Sequence, residues 1–137
     1  MELNILYDLA EKENINIYNY NIDNVNGVFI NYNNINAIAM NYKNIDTIAK
    51  EKCVLAEELG HYYYDAIYSP FCSDSTFISK QEYKAKKWAM KTLVPISHFQ
   101  TLKSNYLCEL AEEFGVTEDM IKFAYQYYLE NNYIKEI

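Results

Sequence analysis

The sequence contains no arginine: all 12 of its basic residues are lysine, set against 19 acidic residues, and its formal net charge is −7. Arginine binds phosphate and guanine through two parallel hydrogen bonds, so a DNA-reading surface would lack its usual side chain. A net negative charge also repels nucleic acid and anionic membranes. We therefore expect neither direct nucleic-acid binding nor membrane association.

Cysteine, proline and glycine are also scarce, with three, two and three residues. No CxxC pair is present, and no stretch rich in proline or glycine divides the 137 residues, which favours a single domain spanning 1–137. The apolar runs are far shorter than the roughly 18 residues of a membrane span. The first residues lack the basic start and apolar core of a signal peptide, so we expect a cytoplasmic protein.

The pattern of apolar residues changes its period along the chain, which predicts an α+β fold. Near-helical spacing over 2–12 predicts a first helix. Alternation then predicts a small, three-stranded, largely antiparallel sheet, and Asn33-Asn34 suits a tight hairpin between its last two strands. The predicted strands are 15–20, 27–32 and 35–40.

Helical spacing returns after the sheet and predicts two long helices. The first runs from Asp46, near its start, to about Tyr64. The second runs over 79–93, with Ser79 and Glu82 forming a capping box and Pro95 ending the helix. A core of residues 1–95 is thus followed by a helical tail, 96–137.

The tail contains a helix-turn-helix-like pattern broken by Gly115, in which Thr117 caps the second helix. In a DNA-binding protein the first residues of that helix face bases and phosphates. Here they are Glu118 and Asp119, which the phosphate backbone would repel. We interpret this segment as a structural helical hairpin.

The first long helix contains the segment Glu57-Glu58-Leu59-Gly60-His61. In the zincin pattern HExxH, two histidines one helical turn apart bind one metal ion, and the intervening glutamate acts as general base. Here Glu57 stands at the first ligand position and His61 at the second. Glu58 occupies the position of the base, at about 100° around the helix.

The second long helix contains Glu82-Tyr83-Lys84-Ala85-Lys86-Lys87-Trp88-Ala89, followed by Leu93-Val94-Pro95. Together the two segments resemble the ImmA/IrrE family of metallopeptidases, in which an HELGH helix is followed by a helix bearing ExxA(N/D)x(F/W)A and a Leu-x-Pro stop. The resemblance covers most of the chain. It implies a zincin-like fold with two metal-site helices, and it assigns Glu82 as the third metal ligand.

The resemblance also implies a function, namely metal-dependent cleavage of a cytosolic transcriptional repressor of a phage or other mobile element. The metal would be zinc, held by Glu57, His61 and Glu82, with Glu58 as the catalytic base. Because two of these ligands are carboxylates, manganese or another divalent metal is also compatible. The expected partner is a helix-turn-helix repressor.

Two departures from the family pattern leave a second interpretation open. Glu57 replaces the first histidine, and Lys86 replaces the Asn or Asp that follows the third ligand by four residues. If Lys86 pairs with Glu57, only His61 and Glu82 remain as ligands. The chain would then bind a regulator through a peptidase-like module that carries no metal and does not cleave.

Several other residues have a structural and a functional interpretation. Glu82 could be an N-terminal helix carboxylate rather than a ligand. We interpret Cys53 as a core residue, with a thiolate ligand as the alternative. Tyr62, Tyr63 and Tyr64 are expected to pack, although one hydroxyl could stabilise an oxyanion. Trp88 and Ala89 are expected to pack the second helix against the first, and His98 to lie on the surface.

Overall fold

The computed structural model describes residues 1–135. It is an α+β fold, and within these residues six helices accompany one small three-stranded sheet. The expected order of helix, sheet, two long helices and helical tail is confirmed. A short 3₁₀ turn, Tyr42–Asn44, joins the sheet to the second helix. The elements are α1 (Leu3–Lys12), β1 (Asn16–Asn19), β2 (Gly27–Tyr32), β3 (Ile35–Met40), α2 (Ile48–Tyr63), α3 (Ser75–Leu93), α4 (Ile96–Phe99), α5 (Leu107–Phe114) and α6 (Glu118–Glu130).

The sheet is mixed rather than largely antiparallel. Its order is β1-β3-β2, with β2 and β3 antiparallel and β1 parallel to β3. The predicted hairpin forms because Asn33 and Asn34 both adopt positive φ, 50° and 62°. Between β1 and β2 the chain crosses to the far edge of β3. The buried Asn41 side chain holds this crossover by donating to the carbonyls of Ile22 and Val25.

The caps of the two long helices differ from the sequence prediction. At α2 the cap is Thr47, one residue after Asp46, and its hydroxyl accepts from the Lys50 N–H. At α3 the predicted Ser79 capping box is wrong, because the carboxylate of Asp74 accepts from the N–H groups of Thr76 and Phe77 and starts the helix four residues earlier. As a result Ser79 lies inside the helix.

Helix α2 lies at the centre of the core, between the sheet and α3. Its buried apolar residues, Leu55, Ala56 and Leu59, belong to one hydrophobic core with residues of α1, β3, α3, α5 and α6. Gly60 contacts α3 so closely that an added Cβ would overlap the carbonyl of Ala85. Trp88 stacks on Tyr63 with ring centroids 4.8 Å apart, as expected for packing of the two helices.

The tail packs into the same core as the remainder of the chain. The predicted helical hairpin is confirmed over the described residues: Gly115 ends α5 with φ of 64°, and the Thr117 hydroxyl caps α6 by accepting from the Met120 N–H. The buried Lys52 ammonium donates to the Phe114 carbonyl and joins α2 to α5. Residues 136 and 137 of the predicted tail lie outside the described residues. No helix within residues 1–135 combines the length and the apolar character of a membrane span.

Replacing each of the two candidate caps of α3 by alanine distinguishes the observed helix start from the predicted one. We expect Asp74→Ala to lower the free energy of unfolding by about 1 kcal/mol, because two backbone N–H groups lose their acceptor. Ser79→Ala should change it by less than about 0.5 kcal/mol, because an exposed helix-interior serine is replaced by a better helix former. Urea unfolding followed by circular dichroism measures both. A larger loss for Ser79→Ala would place the helix start at Ser79.

Candidate metal centre

All four residues that the sequence analysis singled out line one pocket of about 470 Å³. Glu57, Glu58 and His61 lie on α2, and Glu82 comes from α3. Strand β2, the segment just before it and the loop that joins the two helices also line the pocket. The fold thus brings the residues of both motif segments to the same side of the molecule.

The buried imidazole of His61 is fixed by contacts at both ring nitrogens. Its Nδ1 lies 2.6 Å from the carbonyl oxygen of Ala66, and its Nε2 lies 3.4 Å from Oε2 of Glu82. Because a carbonyl only accepts, Nδ1 carries a hydrogen. A protonated Nε2 pairs with the ionised Glu82 carboxylate, and loss of that proton leaves the Nε2 lone pair facing the pocket. Burial lowers the pKa of His61, but the contacts with Glu82 and Ala66 outweigh it and raise the pKa above its usual value.

Glu82 lies two turns inside α3, so its interpretation as an N-terminal helix carboxylate is wrong: the helix begins at Ser75. Its two oxygens contact two different residues. Oε2 faces His61, and Oε1 accepts a 2.5 Å hydrogen bond from the Tyr68 hydroxyl. These two contacts, with His61 first, lower the pKa of Glu82 against the opposing effect of burial.

Glu58 is buried, and its Oε2 has no hydrogen-bond partner among the described residues. Burial is the main reason that its pKa rises to about 8, and the neighbouring carboxylates Glu82 and Glu57 add to the rise. His61 and the main-chain N–H of Phe29 act in the opposite direction. Strand β2 approaches this carboxylate closely because Gly27 has no side chain: a Cβ there would lie 2.8 Å from Val54 and 3.2 Å from Glu58.

Glu57 also lines the pocket and is partly buried. Burial raises the pKa of this carboxyl, Lys86 lowers it, and Glu82 raises it further. No ion pair joins Glu57 to Lys86, both of which lie in the described part of the chain. The Lys86 ammonium instead lies 4.9 Å from the centre of the Phe123 ring. The proposed capture of Glu57 by Lys86 is therefore not observed.

The side chains around the pocket are of types that bind small divalent cations. His61 and Glu82 bring an imidazole nitrogen and a carboxylate oxygen within 3.4 Å of each other, and the buried Glu58 oxygen in the same pocket lacks a hydrogen-bond partner. Within residues 1–135, however, no three His, Cys, Asp or Glu side chains form a group that could hold a metal ion. The contribution of Glu57 as a ligand therefore stays a prediction.

Other residues considered from the sequence lie away from the pocket. Cys53 is a core residue, as expected, and its sulfur accepts from the Thr117 hydroxyl at 3.7 Å. Tyr62 donates to Glu13, and Tyr63 stacks on Trp88, so both pack as expected. His98 is exposed, as predicted, and lies 3.1 Å from Glu113.

Sequence reasoning missed the residues that surround the motif side chains. Ala66 accepts from His61, Tyr68 donates to Glu82, and Phe29 on β2 stacks against the His61 ring. Main-chain groups carry no sequence signal. Tyr68 could have been noticed as an aromatic hydroxyl in the loop between the two helices that carry the motif segments.

Comparison of this chain with models of known protein families, with curated proteins and with solved structures gives no match. The similarity to the ImmA/IrrE metallopeptidases therefore rests on the two motif segments and stays a prediction.

Two glutamates of the pocket should affect stability in opposite directions when each is replaced by glutamine. A raised pKa means that ionised Glu58 destabilises the folded state increasingly as pH rises from about 4.5 to about 8. In metal-free protein, the free energy of unfolding of Glu58→Gln should therefore rise relative to that of the unsubstituted chain as pH increases. From pH 5.5 to pH 8.5 the difference between the two should grow by on the order of 2 to 3 kcal/mol.

Glu82 provides the matched control. Its lowered pKa stabilises the folded state above its unfolded pKa, and this stabilisation is lost as pH falls. Glu82→Gln should thus be less stable than the unsubstituted chain near pH 6, where Glu82 is ionised and His61 is protonated, with a smaller difference at more acidic pH. Urea unfolding in the presence of a chelator measures both. If the free energy of unfolding depended on pH in the same way for Glu58→Gln and for the unsubstituted chain, Glu58 would ionise normally in the folded state.

Proposed function

We propose that this chain is a cytoplasmic, zincin-like metallo-endopeptidase that cleaves a transcriptional repressor of a phage or mobile element. One observation carries the proposal: His61 of α2 and Glu82 of α3 meet at 3.4 Å, beside a buried carboxylate, Glu58, that has an unpartnered oxygen. An imidazole whose other nitrogen donates to a carbonyl is the usual arrangement of a metal-binding histidine.

His61 and Glu82, with Glu57 as the predicted third ligand, would hold the metal. The bound cation would polarise a peptide carbonyl as a Lewis acid, and its charge would lower the pKa of Glu58. Glu58, once ionised, accepts a proton from the attacking water and delivers it to the leaving amine. The Ala66 carbonyl keeps Nδ1 of His61 protonated, so that Nε2 is the nitrogen that would bind the metal.

The position of strand β2 at the edge of the sheet favours an extended peptide as the substrate. Among the described residues β2 pairs with β3 on one side and is an edge strand of the sheet. Gly27, Val28, Phe29 and Asn31 of this strand also line the pocket. A peptide that pairs with this edge would pass over Glu58 and His61 with its backbone held by hydrogen bonds.

The partner is proposed from the family resemblance and from charge. A helix-turn-helix repressor presents a basic DNA-binding surface, and this chain has a net charge of −7. Electrostatic complementarity would steer the two proteins together and make association weaker at high salt.

The direct test combines metal content with activity. We expect the chain, dialysed against zinc and then against buffer, to retain about one zinc per molecule and to cleave a repressor encoded beside its gene. Glu58→Gln should retain the zinc but lower cleavage roughly 10² to 10⁴-fold, because the proton acceptor is lost. Mass spectrometry of the cleaved repressor measures the activity.

Glu112 is exposed on α5, so Glu112→Gln is the control for the removal of one carboxylate. This variant should cleave the repressor at the same rate as the unsubstituted chain. The proposal is wrong if the chain binds no zinc, manganese or iron and Glu58→Gln leaves repressor cleavage unchanged.

A second candidate function is a non-catalytic module that binds the same regulator. It is favoured by the glutamate at the first ligand position and by Lys86, which replaces the Asn or Asp of the family pattern. This candidate predicts that Glu57→Ala and Glu58→Gln both bind the repressor with unchanged affinity and that the repressor stays intact. Isothermal titration calorimetry and mass spectrometry distinguish it from the peptidase.

A further inference from the structure

The loop between α2 and α3 carries a tyrosine that contacts two of the four motif residues of the pocket, His61 and Glu82. The Tyr68 hydroxyl donates to Oε1 of Glu82 at 2.5 Å. Its ring meets the His61 imidazole edge-on, with centroids 6.1 Å apart. The hydroxyl is the donor in this bond, because a carboxylate only accepts.

The beginning of this loop is fixed by the same histidine. The Ala66 N–H donates to the His61 carbonyl at 2.9 Å, and the Ala66 carbonyl accepts from His61 Nδ1 at 2.6 Å. Asp65 permits this reversal with a positive φ of 49°. Ala66 is fully buried, so Tyr68 extends from an anchored turn rather than from a free loop.

Glu82, in contrast, has little else to hold it. Its side chain is 47% exposed, whereas that of His61 is 6% exposed. A half-exposed glutamate samples several rotamers, and fixing one of them costs conformational entropy. The Tyr68 hydroxyl occupies one carboxylate oxygen and leaves the other facing Nε2 of His61.

We infer that Tyr68 is a positioning residue, which holds the Glu82 carboxylate against His61 and so pre-forms the two-residue donor pair. The inference rests on the proposed function insofar as that pair binds a metal. Tyr68 acts through Glu82 and orients a ligand, in the way that outer residues orient the ligands of metal sites generally.

Tyr68→Phe tests the inference, because it removes the hydroxyl and keeps the ring beside His61. Tyr62→Phe is the matched control: it removes a tyrosine hydroxyl that donates to another glutamate, Glu13, at 2.6 Å outside the pocket. Zinc dissociation constants are measured by competition with a chromophoric chelator. We expect Tyr68→Phe to weaken zinc binding about 10 to 100-fold, and Tyr62→Phe to leave it unchanged.

Crystal structures of the two variants without metal give a readout that does not depend on zinc. In Tyr68→Phe the contact between Glu82 Oε2 and His61 Nε2 should be lost, and in Tyr62→Phe it should remain. Zinc binding by Tyr68→Phe equal to that of the unsubstituted chain would overturn the inference. If no form of the chain binds zinc, the proposed function fails, and the Glu82 position in the Tyr68→Phe crystal decides the inference alone: an unmoved carboxylate overturns it.

Discussion

The close contact between Gly60 and Ala85 determines the geometry of the pocket. Any side chain at position 60 would overlap the Ala85 carbonyl, so the two long helices can approach this closely only with glycine there. His61 follows Gly60 directly, and Glu82 lies one turn before Ala85. The distance between the imidazole and the carboxylate is therefore a consequence of backbone packing. A second glycine, Gly27, similarly lets β2 approach Glu58.

The same pocket is electrostatically unfavourable for an isolated folded chain. Three carboxylates, Glu57, Glu58 and Glu82, share it with one imidazole, and burial raises the pKa of the first two. Functional sites typically contain a group whose pKa is shifted by burial and that lies in a pocket beside a specific charge partner. A divalent cation would offset this charge, and hydrophobic packing around Leu55, Ala56 and Leu59 provides stability elsewhere in the core.

Much of the fold could be predicted because local signals agreed with the tertiary structure. The Asn-Asn hairpin, the Thr117 cap and the Gly115 break each depend on the conformational preference of one or two residues. The mixed sheet could not be predicted in this way. The pairing of β1 with β3 depends on a crossover held by Asn41, which lies beyond both strands in the sequence.

The sequence prediction placed the start of α3 wrongly for a different reason. Two candidate caps, Asp74 and Ser79, lie within six residues of each other. Ser79 matched the capping-box pattern, but Asp74 offers a carboxylate that accepts from two N–H groups and so extends the helix. For the pocket, helical spacing was sufficient to group Glu57, Glu58 and His61, and the resemblance was needed to add Glu82. The place of Tyr68 in the loop between the helices can be read from the sequence, but its bond to Glu82 and the bond of the Ala66 carbonyl to His61 are tertiary contacts that the sequence does not show.

The central claim is that His61 and Glu82, from two different helices, form one cation site. Anomalous X-ray diffraction at the zinc absorption edge, from crystals grown with zinc, tests it most directly. The account predicts one strong anomalous peak at about 2.0 to 2.2 Å from both His61 Nε2 and a Glu82 carboxylate oxygen. Peaks confined to other surfaces, with His61 and Glu82 facing different sides of the molecule, would contradict it.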